Sequence, residues 1–465
     1  MLKDLISNSN DFTFHKKKIN TDKDSFEIFK SIYLNYENVF ILESLTGPKE
    51  LSEFSVIGFN PEFTVICDNG KFQIYRNEKI IYEKNAKDPL LELRRILPTI
   101  EEKKLRYIGG AVGYVSYEAI GFWETIQSKR AHNMFPLMEF GIYTDGVIHD
   151  KKENAIHYFH IGKKSRFNEL VEIINSKKRI LGKGISFSKP TSETTKSKFI
   201  SNVKRAKEYV HDGEVFQVVI SRKFNFQIFG DPIYLYQNLR KLNPSPYMYF
   251  FRRKKRFIIG SSPEMLLRVI NNKIETFPIA GTRPVSNKQS VNNKLKAELL
   301  SDKKELAEHT MLVDLARNDL GRVCIFGSVR PKELMIVKRF SHVQHIVSHI
   351  VGNLYDKYDC FDAFRSLFPA GTVSGAPKVR AMEVISELER TTRGPYAGAL
   401  GYFSFNRSCD FAIIIRSLFI NGNNAYIQSG AGIVMDSIPE NEYLETEQKA
   451  GALFSALKAT KDQSR

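Results

Sequence analysis

Short runs in which apolar and polar residues alternate fill residues 38–150, as in KFQIYRNEKIIYE from Lys71 to Glu83. A period of two predicts half-buried strands, so this part reads as mostly β with interspersed helices, including GGAVGYVSYEAIGF from Gly109 to Phe122. Beyond about residue 195 the pattern alternates between helices and strands. FISNVKRAKEYVHDGEVFQVVISRKFNF, from Phe199, predicts helix, turn and strand. KKELAEHTMLVDLARNDLGRV predicts one long helix from Lys303, and PENEYLETEQKAGALFSALKA opens another at Pro439. In SHVQHIVSHIVG, His342, His345 and His349 recur at helical spacing. The stretch 181–198 is rich in Gly, Ser, Thr and Lys and reads as a linker. It separates an N-terminal region, 1–180, from a C-terminal region, 199–465. The predicted fold class is α+β, with large mixed or antiparallel sheets carrying helices on their outer faces.

Composition narrows the function. The 465 residues carry a formal charge of +17, but Lys and Arg are spread along the chain. The densest run, Arg252 to Arg256, falls between YMYFF and FIIG, where a hairpin turn is expected. Nucleic-acid binding calls for one basic face interleaved with aromatics, and a field that attracts an anionic metabolite is the more economical use of the charge. No apolar run reaches the roughly 18 residues of a membrane helix, and the N-terminus lacks the apolar core of a signal peptide. Cys67, Cys324, Cys360 and Cys409 are scattered without a CxxC pair. They fit reduced thiols in a cytoplasmic protein better than a disulfide frame or a zinc site.

Two acidic clusters, Glu305/Glu308 and Glu445/Glu447, lie on separate predicted helices. Carboxylates from two helices can meet around one Mg²⁺, which takes one or two such ligands plus an anionic substrate. Each cluster also has a plainer reading. Asp302 and Glu305 have the spacing of a capping box. Glu305, Glu308 and His309 share one helix face, and Glu445 and Lys449 have the spacing of an exposed ion pair. Gly430 and Gly432 flank Ala431 in a strand pattern, where glycine marks a bulge or a close approach of backbone to something else. Thr372 and Ser374 precede a helix start near Pro377, which is either capping or an anion site. Arg416, inside FAIIIRSLFI, calls for a carboxylate partner from the protein or from a ligand. The histidine run lacks HExxH and reads as one catalytic histidine among packed neighbours rather than as a zinc site.

Together KELAEHTMLVDLARNDLGRVC, HVQHIVSHIVG, FPAGTVSGAPKVRAMEVI, GALGYFSF, IQSGAGIVMDS and YLETEQKA resemble the chorismate-utilising enzymes. ILESLTGP and FSVIGFNPE resemble the regulatory region of the anthranilate-forming branch. The resemblance implies Mg²⁺ held by Glu308 and Glu445, with Glu305 further out. It implies an enolpyruvyl carboxylate held by Tyr402, Arg416, Gly430 and Gly432, around Ala431. Thr372 would stand near the ring hydroxyl, His345 would be the general acid–base, and Lys449 would reach the ring carboxylate or the metal site. Ala280, in the Ala280-Gly281-Thr282 segment, stands where aminodeoxychorismate synthases often carry a nucleophilic lysine. Gln217 replaces the water-activating lysine of isochorismate and salicylate synthases, and Phe277 replaces an acid. These residues favour ammonia as the nucleophile and anthranilate and pyruvate as products, with the aminodeoxychorismate reaction as alternative and a non-catalytic metabolite binder as another. No glutaminase module is visible in the sequence, so the resemblance implies a separate glutamine amidotransferase subunit in a hetero-oligomer. It also implies tryptophan feedback inhibition, through Leu42, Glu43 and Ser44 facing Pro246, Tyr247 and Met248.

Overall fold

Apolar, β-branched and aromatic residues dominate the paired runs of the chain, and alternation assigns their two faces. In Tyr247–Arg253, Tyr249 and Phe251 enter the main core while Met248 and Phe250 enter a second. The computed structural model describes residues 12–47, 54–126, 134–176, 184–340 and 343–462. Their strands form a thirteen-stranded and a twelve-stranded sheet. Both contribute side chains to the main core, Phe40 and Phe419 from one and Val112 and Phe403 from the other. The second core lies beneath Ser25–Tyr33, Ile233–Leu242 and Pro439–Asp462, helices on the outer face of the larger sheet. The α+β expectation is met, with antiparallel pairing between these strands.

Strands from before and after residues 181–198 share both sheets. Asn38–Glu43 lies between Phe54–Phe59 and Tyr247–Arg253, with Glu43 opposite Met248. Gly110–Val115 pairs with Ala399–Ser404, placing Val112 opposite Tyr402. Arg253 and Arg256 close the expected basic hairpin.

The histidine run corrects its expected helical geometry. Val343–Asn353 is a buried strand hydrogen-bonded to Ile279–Pro284, Lys273–Thr276 and Arg330–Arg339. Its β-branched residues suit a pleat between partners, and tertiary pairing overrides the spacing of three and four. His345 and His349, four residues apart, therefore share a strand face; His342 lies outside the described residues. In the helix Lys303–Gly321, Asp302 accepts from the backbone N–H of Lys304 and Glu305. Only that half of the capping box forms, because the Glu305 carboxylate accepts from Arg283 instead, at 3.0 Å.

Candidate active site

A cavity of about 830 Å³ opens between the two sheets. The larger sheet contributes Gln217, Gly430 and Gly432, and the smaller contributes Ala280, Gly281, Thr282 and His345. The helix Lys303–Gly321 presents Glu305 and Glu308, one turn apart. The helix Pro439–Asp462 presents Glu442, Glu445 and Lys449. Spacings of three and four put these groups on one side of each helix, and the sheets bring the two helices to the same space.

One wall is acidic. Burial pushes the Glu308 carboxyl up, and the charges of Glu305 and Glu445 add to it. Lys449 bridges Glu445 at 2.6 Å and donates to the Gly430 carbonyl at 2.9 Å. A Cβ on Gly432 would lie 2.4 Å from Gln217 Nε2, so any larger residue there would displace that amide. Gln217 Nε2 reaches Glu308 at 3.4 Å, while its Oε1 is buried with no hydrogen-bond partner among the described residues. Gly281 has φ +64, and a Cβ on it would meet Leu299 and Glu305 at about 3 Å.

The other wall carries Arg416, His345 and Glu264. Arg416 sits at φ +50 in the break between Cys409–Ile413 and Ser417–Asn421, rather than inside a continuous strand as expected. Its guanidinium opens onto the cavity and forms no ion pair among the described residues. Surrounding protein pushes its pKa down, and Glu264 opposes this. His345 Nδ1 donates to the Gly281 carbonyl at 2.8 Å, with Thr282 Oγ1 at 3.1 Å. Burial and the nearby Arg416 charge keep the imidazole neutral, against the pull of that carbonyl. The bond from Nδ1 leaves Nε2 as the lone-pair nitrogen.

Sequence reasoning missed Glu264. Burial pushes this carboxyl up to about 7, against the Thr372 hydroxyl and the charges of Arg416 and Lys449. It follows Arg256–Ser262 in SSPEM, a segment with no periodicity to announce it. Glu442 and Tyr396 also line the cavity. Three expectations need correction. Tyr402 lies in another cavity, and Tyr396, six residues earlier, occupies the catalytic one. Ala431 points into the core because strand residues alternate. Glu447, two positions from Glu445, lies on another helix face and pairs with Arg222 at 2.7 Å. Phe277 stacks on His349, ring centroids 4.0 Å apart, and does not line the cavity.

A model of the chorismate binding enzymes matches residues 37–455. The chain belongs to the chorismate-binding enzyme family. Anthranilate synthase component 1 of Methanothermobacter marburgensis is 45% identical over 446 residues, covering 95% of this chain and 94% of the relative. That of Saccharolobus solfataricus is 42% identical, covering 93% and 96%. Among solved structures, anthranilate synthase component I from Streptococcus pneumoniae superposes with a TM-score of 0.77 at 36% identity, covering 88% of this chain and 93% of that one. The menaquinone-specific isochorismate synthase from Escherichia coli shares the fold, with a TM-score of 0.73 at 20% identity over 98% of each chain.

For a member of this family the acidic wall fits a hard cation. Among the described residues no three ligating groups already gather around one point. Mg²⁺ requires only one or two carboxylates beside water and substrate. Burial raises Glu308 most, and the repulsion from Glu305 and Glu445 that adds to it is the load a cation would relieve.

A second cavity lies at the seam between Asn38–Glu43 and Tyr247–Arg253. It is lined by Leu42, Glu43, Ser44, Pro246, Tyr247 and Met248, with Arg268, Tyr402 and Asp410 behind them. Strand pairing sets Leu42 and Glu43 beside Tyr249 and Met248, and all six predicted inhibitor-site residues line this one cavity. Glu43 is already engaged, by Arg240 at 2.7 Å and the Tyr236 hydroxyl at 2.8 Å.

Proposed function

We propose that this chorismate-utilising enzyme converts chorismate and ammonia to anthranilate, pyruvate and water, the first committed chemistry toward tryptophan. The observation that carries the choice of nucleophile is Gln217. Its buried Oε1 accepts an N–H from ammonia but is too weak a base to activate water. The methyl of Ala280 offers no amine to compete, and the relatives named anthranilate synthase component 1 support the same choice.

The residues divide the work. Arg416 holds the enolpyruvyl carboxylate through charge-assisted hydrogen bonds, and the Gly430–Gly432 strand lets the substrate approach the backbone closely. Lys449 faces the ring carboxylate. Glu308 and Glu445, helped by Glu305, would hold Mg²⁺, which would supply orientation and charge stabilisation for that carboxylate. Glu264, whose carboxyl holds its proton up to about pH 7, gives it to the departing ring hydroxyl beside Thr372 as ammonia adds. His345 Nε2 then takes the ring proton as pyruvate leaves and the ring becomes aromatic.

Ammonia comes from a separate glutamine amidotransferase subunit. The four cysteines of this chain are buried, and burial pushes the Cys67 and Cys324 thiols up to about 12, the wrong setting for a glutaminase nucleophile. Tryptophan binds the second cavity and inhibits. Among the described residues no helix is long and apolar enough to cross a membrane, and the enzyme works in the cytoplasm.

The test is to incubate purified protein with chorismate, Mg²⁺ and ammonium, follow anthranilate fluorescence and identify products by mass. Metal-dependent anthranilate is expected. Aminodeoxychorismate as the product would overturn the argument from Ala280, isochorismate would overturn the role of Gln217, and bound but unconverted chorismate would overturn the assignment of activity.

A further inference from the structure

Four polar contacts lead from the second cavity toward the catalytic strand. The Tyr247 hydroxyl donates to Asp410 Oδ1 at 2.9 Å, and Asp410 Oδ2 accepts from Arg268 Nε at 2.8 Å. Arg268 Nη1 reaches Glu275 Oε1 at 3.2 Å, and Glu275 Oε2 lies 2.7 Å from His349 Nε2. Tyr247, Asp410 and Arg268 line the second cavity; Glu275 and His349 do not. His349 shares a strand face with His345, the base of the catalytic cavity. It is also pinned flat against Phe277, one residue before the loop into the strand that carries Ala280 and Gly281.

Arg268 is 2% exposed and divides one guanidinium between two carboxylates. A buried charge that loses a partner costs several kcal/mol, so these contacts rearrange together. An α-amino acid brings a carboxylate that competes for Arg268 and an ammonium that competes for Asp410. Either exchange changes what Arg268 offers Glu275, and hence what Glu275 offers His349.

We propose that an amino acid in the second cavity inhibits by re-partnering Arg268 between Asp410 and Glu275, which shifts His349 and with it the strand that positions His345. This inference rests on the tryptophan reading of that cavity and names its means of communication. A ligand shifts an equilibrium only through its differential affinity for the two states. The differential contact here is the second partner of Arg268.

Arg268 itself is a poor probe, because replacing it strands the buried Asp410 carboxylate and the half-buried Glu275 carboxylate. Glu275→Gln and His349→Phe, made in the full chain, cut the path outside both cavities. Tryptophan binding is read by calorimetry, and anthranilate formation is read with and without tryptophan. Both variants should bind tryptophan within threefold of wild type and turn over chorismate within threefold when tryptophan is absent. The factor by which tryptophan raises the chorismate KM should fall at least tenfold. Chorismate should lose its effect on tryptophan affinity by the same factor, since coupling is reciprocal. Inhibition unchanged in both variants overturns this inference alone, and so does loss of tryptophan binding in Glu275→Gln. Wild-type protein that binds no tryptophan overturns the regulatory reading and this inference together.

Discussion

Replacing Glu264 with Gln should stabilise the protein at alkaline pH and nearly abolish its activity. The side chain is 8% exposed, and burial raises its carboxyl from 4.5 to about 7. Below pH 4.5 the group is neutral in both the folded and unfolded chain, so it then imposes no penalty. As pH climbs, the unfolded carboxyl ionises first, and folding stability is lost until the folded carboxyl ionises near 7. At about 1.4 kcal/mol per pH unit, the loss reaches about 3 kcal/mol by pH 8. Glutamine keeps the volume and cannot ionise, so it escapes that loss. Urea unfolding of both proteins at pH 5 and pH 8 isolates the effect as a difference of differences, because every other titrating group cancels. The advantage of the variant should grow by about 2 to 3 kcal/mol between the two pH values. Over the same comparison kcat should fall on the order of 10²- to 10⁴-fold, the usual contribution of a general acid. A stability difference that does not change with pH would refute the burial argument. Activity within tenfold of wild type would refute the role as proton donor.

Arg416→Gln should raise the chorismate KM by about 10- to 100-fold, the worth of a charge-assisted hydrogen bond. It should leave thermal unfolding nearly unchanged, because no ion pair among the described residues is lost; a matching fall in melting temperature would contradict this. Glu308→Gln and Glu445→Gln should each remove most of the Mg²⁺-dependent rate while circular dichroism stays the same, and full activity in both would end the cation proposal. Ser44→Phe places a ring in the second cavity, where Ser44 is 4% exposed. It should preserve turnover and weaken tryptophan inhibition by tenfold or more; an unaltered inhibition curve would remove tryptophan from that site.

Local pattern determined a good deal by itself. The spacing of Glu305 and Glu308, and of Glu445 and Lys449, placed each pair on one helix face, since a turn of 3.6 residues acts over so short a range. Gly430 and Gly432 announced a strand that must admit something close, and the long sequence motifs carried the family. What failed were choices between neighbours with equal local credentials. Tyr396 lies two residues before GALGYFSF, which holds Tyr402, and only the route of the chain sends the first to the cavity of Glu308 and His345 and the second to the other. Val343–Asn353 matched a helical spacing and became a strand because three partner strands were waiting for its backbone. Glu264 has no pattern at all, and its unusual proton affinity exists only where folding has removed the water around it. The second cavity depends on Leu42 meeting Tyr249, two residues some two hundred positions apart. Helix and strand faces follow from repeats a few residues long and can be read from the chain. Long-range pairing, burial and charge proximity are set by which segments meet, and that was decided by the tertiary structure alone.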